Sequence, residues 1–333
     1  MNLDDLSFFK RLDSQNFVAQ IDALPYQIVA AWERGQTLTV PHHFRAATHL
    51  VIAGRGDSAI AGDLARVLAL PASRTPLTLW TRGDLPAFVD AHTLVIALSH
   101  SGNTGETVAL AEAARARGAM VLTIGSGGRL AALNGVTAWT YPAGGDSRAV
   151  VGYLCLLTLA ALTQLGLIAD PSAEVAEAAA EVKKQQQALR AESPVRHNPA
   201  KRMAGQLMDR YAVLFVADEL APVGRRWQGQ INQLARAWAQ CLALSEADHP
   251  SAGVMFPEAL VGKYMALFLR GSRPAPQLDA VRMHFMTSGF NTDSIAGAGR
   301  SSIAQAFTLL HYGDYVAYYL AMCYGVDPAA VMR

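Results

Sequence analysis

The sequence predicts an α/β protein with two parallel sheets in tandem, each covered by helices on both faces. Short apolar runs alternate with helix-length segments, which is the pattern of βαβ units. Within each run the apolar residues are continuous rather than alternating, as expected of strands buried on both sides. The strand–turn–helix theme occurs twice in 333 residues, a length that suits two domains of roughly 100–200 residues each.

A first amphipathic helix is expected over residues 16–34. Residues 49–53 (HLVIA) read as a strand bounded by Gly54 and Gly56, and a helical pattern follows over 58–70. Leu77–Trp80 and residues 93–98 (TLVIAL) read as strands, 104–117 as a helix and 120–124 as a strand. Segment 149–169 carries no charge and is long enough to span a bilayer. Its flanks are ordinary α/β sequence, where the same composition makes a buried core or interface helix. Residues 173–192 form a polar linking helix, followed by Ser193-Pro194 and Asn198-Pro199 as chain punctuation. The second half has strands at 211–217, 264–269 and 281–288, a helix at 222–240 and a closing apolar helix at 301–325. The expected organisation is a first domain over 1–170, a helical linker over 171–198 and a second domain over 199–333.

Composition narrows the functional classes. Hydrophobic residues are 51% and charged residues 17% of the chain, which gives ample core and excludes a disordered chain. A net charge of +1 offers no basic surplus for nucleic acid. Cys155, Cys241 and Cys323 are few and far apart, with neither a disulfide framework nor a paired zinc motif, so a reducing cytoplasm is expected. The N-terminus, MNLDDLSFFKRLDSQ, shows no secretory pattern.

Two glycine-containing turns carry candidate chemistry. The first, AGRGDSAIAGD, lies between a strand and a helix, where glycines let backbone N–H groups approach an anion. Gly54-x-Gly56-x-x-Ala59 also matches the dinucleotide fingerprint, but no acidic residue ends the second strand, which is followed by Thr81 and Arg82. A nicotinamide-dependent dehydrogenase is therefore disfavoured. The second turn is SHSGNTGET, residues 99–107, where Ser99, Ser101, Thr104 and Thr107 surround Gly102 at the start of a helix. One hydroxyl suffices to cap a helix. Four, together with free N–H groups and the helix dipole, make a cradle for a phosphate dianion. No lysine follows, so this is not a nucleotide P-loop.

At these residues the chain resembles sugar isomerase (SIS) domains. SHSGNTGET looks like their phosphate-binding box and AGRGDSAIAGD like the turn before it. RAVVGY at 148–153, NPAKRMAGQL at 198–207, RRWQGQINQLA at 225–235 and GDYVAYYLAMCYGVDP at 313–328 extend the similarity over nearly the whole chain. Together they resemble the bifunctional phosphoglucose/phosphomannose isomerase family. That resemblance implies two tandem SIS domains with flavodoxin-like sheets, and conversion of glucose 6-phosphate or mannose 6-phosphate to fructose 6-phosphate through an enediolate. It assigns Ser99, Ser101, Thr104 and Thr107 to the phosphate, and Gly56 and Ser58 to the sugar. Arg148 falls to the enediolate and His249 to ring opening. It further implies a cytoplasmic homodimer with shared active sites, a phosphorylated hexose as ligand, no cofactor, no metal, and neither nucleic acid nor membrane as partner.

Two departures bear on catalysis. The family's helix motif RWxxQxNENAK carries a glutamate as the isomerisation base, and here Gln233 occupies that place. A neutral amide cannot accept the C2 proton, and a positioned base contributes about 10²–10⁴-fold. The lysine-bearing tail of the family also has no counterpart, since the last lysine is Lys263. Two expectations therefore stand side by side: an isomerase with a relocated base, drawn from Glu246, Glu258 or His249, or a non-catalytic phosphosugar-binding or regulatory protein. Among other residues, His92, His100, His197, His284 and His311 show no metal-ligand spacing, the adjacent His42 and His43 read as loop, and Glu106 suits the first turn of a helix.

Overall fold

The computed structural model describes residues 2–142, 144–245 and 258–330. Two compact units emerge, one of residues 26–176 and one of residues 1–25 with 177–333. The first residues, expected with the first domain, thus group with the second half of the chain. The cause is local packing: Phe9 sets its ring against Tyr318 and Tyr319, and Phe17 is fully buried. The buried Lys201 ammonium meets Asp4 at 3.2 Å and the rings of Phe9 and Tyr319.

The sheet of residues 26–176 has five parallel strands: β1 (His49–Gly54), β2 (Leu77–Trp80), β3 (Thr93–Ser99), β4 (Met120–Gly125) and β5 (Thr137–Thr140). Their order is β2-β1-β3-β4-β5, the flavodoxin-like arrangement. All seven residues of β3 are buried because both faces are covered. On one face Val51, Ala53, Val95, Ala97 and Val121 pack against Val108, Ala111 and Ala114 of the helix Gly105–Ala116. On the other, Gly62 of the helix Gly56–Ala69 lies so close that an added Cβ would stand 2.6 Å from Leu98 and 2.7 Å from Ile52. The uncharged segment 149–169 forms the helix Val151–Gln164, buried along most of its length. Among the described residues no helix is long and apolar enough to cross a membrane.

The other unit carries a four-stranded parallel sheet: β6 (Tyr211–Val216), β7 (Ala239–Ala243), β8 (Tyr264–Arg270) and β9 (Asn291–Ala296), ordered β7-β6-β8-β9. Its order repeats the first four strands of the other sheet. Three local expectations are corrected. The strand expected at 281–288 lies within a helix, Pro276–Thr287. Pro276 opens that helix, and Leu278, Val281 and Phe285 recur at helical spacing to meet Phe215 and Phe268. The helix expected at 222–240 ends at Leu234, and its last residues belong to β7. The first amphipathic helix is broken at Ala23 into Phe17–Asp22 and Leu24–Thr37.

The closing helix Ser302–Tyr324 is capped by Ser301, whose side chain accepts from the Ala304 N–H, and ends at Gly325 with φ 64°. His311 on this helix is fully buried, its Nε2 3.1 Å from the carbonyl of Ile21. Burial lowers its pKa from 6.5 to about 4. The folded pKa therefore lies below the unfolded one. The neutral ring contributes its full stability above about pH 6.5 and loses it as pH falls toward about 4, a change of roughly 3 kcal/mol. Wild-type unfolding free energy should thus fall toward that of His311→Gln over this range in denaturant titrations. Parallel curves would contradict the buried neutral histidine. Backbone apposition at the end of β3 gives a second expectation. Gly102 has φ 65°, and a Cβ there would stand 1.8 Å from the carbonyl oxygen of Gly127. Gly102→Ala should cost more than about 2 kcal/mol in the same titration, whereas Gly105→Ala, with open space at its Cβ, should stay within about 1 kcal/mol.

Candidate active site

Strand order reverses between β1 and β3, because the chain leaves β1 toward one face of the sheet and β3 toward the other. Such a reversal opens a crevice at the carboxyl ends of the strands. Here Gly54 lies beside Leu98, and the helices Gly56–Ala69 and Gly105–Ala116 begin next to each other. Neither start has a side-chain cap: the side chains of Arg55 and Thr104, at the cap positions, bond none of the first-turn N–H groups. Both helix beginnings thus present N–H donors and the positive end of a dipole.

The hydroxyls expected to hold a phosphate gather at the second start. Ser99, buried at the end of β3, places its Oγ 3.0 Å from the Thr104 Oγ1. Thr107 lies one turn on, on the same face as Thr104. It is buried, and among the described residues its Oγ1 has no hydrogen-bond partner. A buried orphan hydroxyl costs about 1–3 kcal/mol, so its lack of a partner calls for an explanation. Ser101 is exposed, and its Oγ accepts from the Asn103 N–H at 3.2 Å. Gly56, with φ 51°, starts the other helix, and Ser58 accepts from the His100 N–H at 3.4 Å. Arg55 and Glu106 bridge the two starts at 3.8 Å, both half exposed.

Arg148 sits in a short helical turn, Ser147–Ala149, directly before the buried helix Val151–Gln164. Its guanidinium binds Asp146 through Nε at 2.9 Å and Nη2 at 2.5 Å, and Asp146 also accepts the Arg148 N–H at 2.8 Å. Burial alone would raise the Asp146 pKa. The hydrogen bonds and charge of Arg148 outweigh it and hold the carboxyl below its ordinary value. Within residues 26–176, Gly56 and Ser58 lie at one helix start and Ser99, Ser101, Thr104 and Thr107 at or just before the other, with Arg148 linked to the second through Asp146, Gly145 and His100.

The sequence reading passed over the loop after β4. Gly125, Gly127 and Gly128 let it run against 99–103: Ser126 N–H and Oγ both donate to the His100 carbonyl, and Asn103 Oδ1 accepts from the Arg129 N–H. A Cβ at Gly125 or Gly128 would stand 2.2 or 2.4 Å from a carbonyl oxygen of Ser99 or Ser101. The signal was present as a second glycine run, GSGG, immediately after a strand. His100 and Tyr141 were also missed, because neither matched any spacing.

In the other unit, the helix Ala221–Leu234 carries RRWQGQINQ. Arg226 is fully buried and bidentate to Asp314 at 3.0 Å on each oxygen, and Gln230 Nε2 joins the same carboxylate at 3.1 Å. Trp227 donates to the Leu309 carbonyl at 2.8 Å, and its indole fits against Gly313. Asn232 pairs with the backbone of Ala239 to set the entry to β7. Gln233, like Arg225 at the other end of the motif, is exposed. Glu258 is exposed at the start of a one-turn helix, Glu258–Val261. His249 and Glu246 lie outside the described residues. Among the described residues no group of three His, Cys, Asp or Glu side chains could hold a metal ion.

Comparison with known proteins agrees with this architecture. Residues 196–332 match the family model described as the bacterial phospho-glucose isomerase C-terminal SIS domain. The chain is 32% identical over 322 residues to a bifunctional phosphoglucose/phosphomannose isomerase of Caldicellulosiruptor bescii, covering 93% of this chain and 94% of the relative. It is 33% identical over 293 residues to the protein of that name from Thermoplasma acidophilum, covering 86% and 88%. The fold is shared with tagatose-6-phosphate ketose/aldose isomerase of Escherichia coli, at TM-score 0.75, 16% identity and 95% coverage of both chains. With homology extending over nearly its whole length, the chain belongs to the bifunctional phosphoglucose/phosphomannose isomerase family.

Proposed function

We propose that the crevice between β1 and β3 binds the phosphate of a hexose 6-phosphate, and that the site serves aldose–ketose isomerisation of glucose 6-phosphate or mannose 6-phosphate to fructose 6-phosphate. The observation that carries this reading is the orphan hydroxyl of Thr107 beside Ser99 and Thr104, at a helix start without a side-chain cap. A phosphate dianion accepts from several donors at once and complements the dipole, which a single capping side chain would not do. Ser101 completes the grip, and Gly56 and Ser58 face the sugar.

Isomerisation requires the open-chain sugar, a base that moves a proton between C2 and C1, and a cation near the enediolate oxygens. Arg148, anchored by Asp146, supplies that cation at an oriented position. By the family resemblance, ring opening falls to His249. Gln233 stands where the base belongs. Its neutral amide favours a second reading, in which the chain binds hexose phosphates without appreciable turnover.

One assay decides between them: fructose 6-phosphate binding by calorimetry alongside formation of glucose 6-phosphate and mannose 6-phosphate. If the base position is assigned correctly, Gln233→Glu should raise kcat by about 100-fold or more. An unchanged rate would contradict the assignment. Ser101→Ala with Thr104→Ala should weaken fructose 6-phosphate binding at least about tenfold while thermal unfolding stays cooperative. Unaltered binding would place the phosphate elsewhere.

A further inference from the structure

His100 stands between two of the cradle hydroxyls, yet nothing in the phosphate grip requires an imidazole there. Its main chain belongs to the crevice: the N–H meets Ser58, and the carbonyl accepts twice from Ser126. Its ring reaches the other way. Nε2 lies 3.2 Å from the Gly145 carbonyl and Nδ1 2.9 Å from the Tyr141 hydroxyl. A carbonyl only accepts, so Nε2 must carry the proton, and in the neutral ring Nδ1 is then an acceptor for the phenol. The ring stacks near-parallel to Tyr141 with centroids 5.9 Å apart, and Tyr141 stacks on Tyr153 at 4.7 Å and 4°. Burial and the neighbouring Tyr153 keep the Tyr141 phenol protonated, hence able to donate. Both ring nitrogens and one ring face are therefore committed to the segment 141–148, which carries Asp146 and Arg148.

We propose that His100 is a positioning residue that ties the phosphate loop to the Arg148 segment, so that gripping the phosphate and presenting the guanidinium to the sugar's reacting end are mechanically one event. This rests on the phosphate reading of the crevice. The tether itself is geometric: a backbone shift at 99–101 moves the imidazole, and the imidazole carries Gly145, whose chain neighbour Asp146 grips Arg148. Arg148 is too buried to swing freely, so its placement follows that of the loop. A tethering role predicts a separation of effects. The contacts to the phosphate lie on the near side of His100, and those to the carbonyl end of the sugar on the far side.

The test uses wild-type protein, His100→Ala, His100→Gln and Tyr141→Phe, with two probes in calorimetry: inorganic phosphate, and a five-carbon sugar-acid 5-phosphate whose carboxylate stands in for the enediolate. His100→Ala and Tyr141→Phe should leave inorganic phosphate affinity within about twofold. They should weaken the sugar-acid phosphate at least about tenfold. His100→Gln, which retains a donor for Gly145, should recover part of that loss. Equal weakening of both probes, or of neither, would overturn the tether. Wild-type protein that binds no inorganic phosphate would instead overturn the cradle reading beneath it. Nitrogen-15 NMR of the histidine rings gives an independent signature: Nε2 of His100 should carry a proton, and an unprotonated Nε2 would contradict the network.

Discussion

The first turn of every α-helix leaves backbone N–H groups without intrahelical acceptors, and something must satisfy them. In residues 26–176 this requirement falls twice at one place. Parallel strand order β2-β1-β3 sends successive helices to opposite faces, so the helices beginning at Gly56 and Gly105 open side by side at the carboxyl edge of the sheet. Neither is closed by its own cap side chain. Thr104, at the cap position, spends its hydroxyl on Ser99, and Thr107 adds a buried hydroxyl that has no hydrogen-bond partner among the described residues. The arrangement leaves a donor-rich hollow whose natural complement is an oxyanion with several lone pairs. The glycines follow from the same constraint. Gly102, Gly125 and Gly128 allow two loops to touch backbone to backbone, and any side chain there would collide with a carbonyl.

Charge is used sparingly elsewhere. The motif that resembles the family's catalytic helix divides into an inner and an outer half. Arg226, Trp227 and Gln230 face inward and fasten the helix to the closing helix through Asp314 and the Leu309 carbonyl. A buried, bidentate guanidinium–carboxylate pair is costly to break from either side, because the surviving charge is left in a dry interior. Gln233 lies outside this clamp and is exposed. Arg148 and Asp146 repeat the device, with the carboxylate fixing the orientation of the guanidinium.

Much of this was legible in the sequence for physical reasons. A strand buried on both faces, such as β3, announces itself as TLVIAL, and four hydroxyls crowded around one glycine exceed what capping needs. The edge strands were harder. β5 has four residues, and β9 reads NTDSIA, a mostly polar, half-buried strand without an apolar run to announce it. β7 follows its helix after a short turn, so the helical pattern runs into it. Segment 281–288 was misread because a short apolar run is ambiguous between strand and helix, and Pro276 with its i, i+3 and i+7 partners decides for helix. His100 could not be found from spacing, since its partners Tyr141 and Gly145 are about 40 residues away and meet it only once β4 and β5 are laid down.

The central claim is that two helix beginnings and a ring of hydroxyls bind a sugar phosphate. A crystal structure of the protein with fructose 6-phosphate tests it most directly. The phosphate should lie at the start of the helix Gly105–Ala116, within hydrogen-bond distance of the Ser99, Thr104 and Thr107 hydroxyls, with the sugar extending toward Gly56, Ser58 and Arg148. A phosphate bound at any other place, with the Thr107 hydroxyl still unpartnered, would contradict the account.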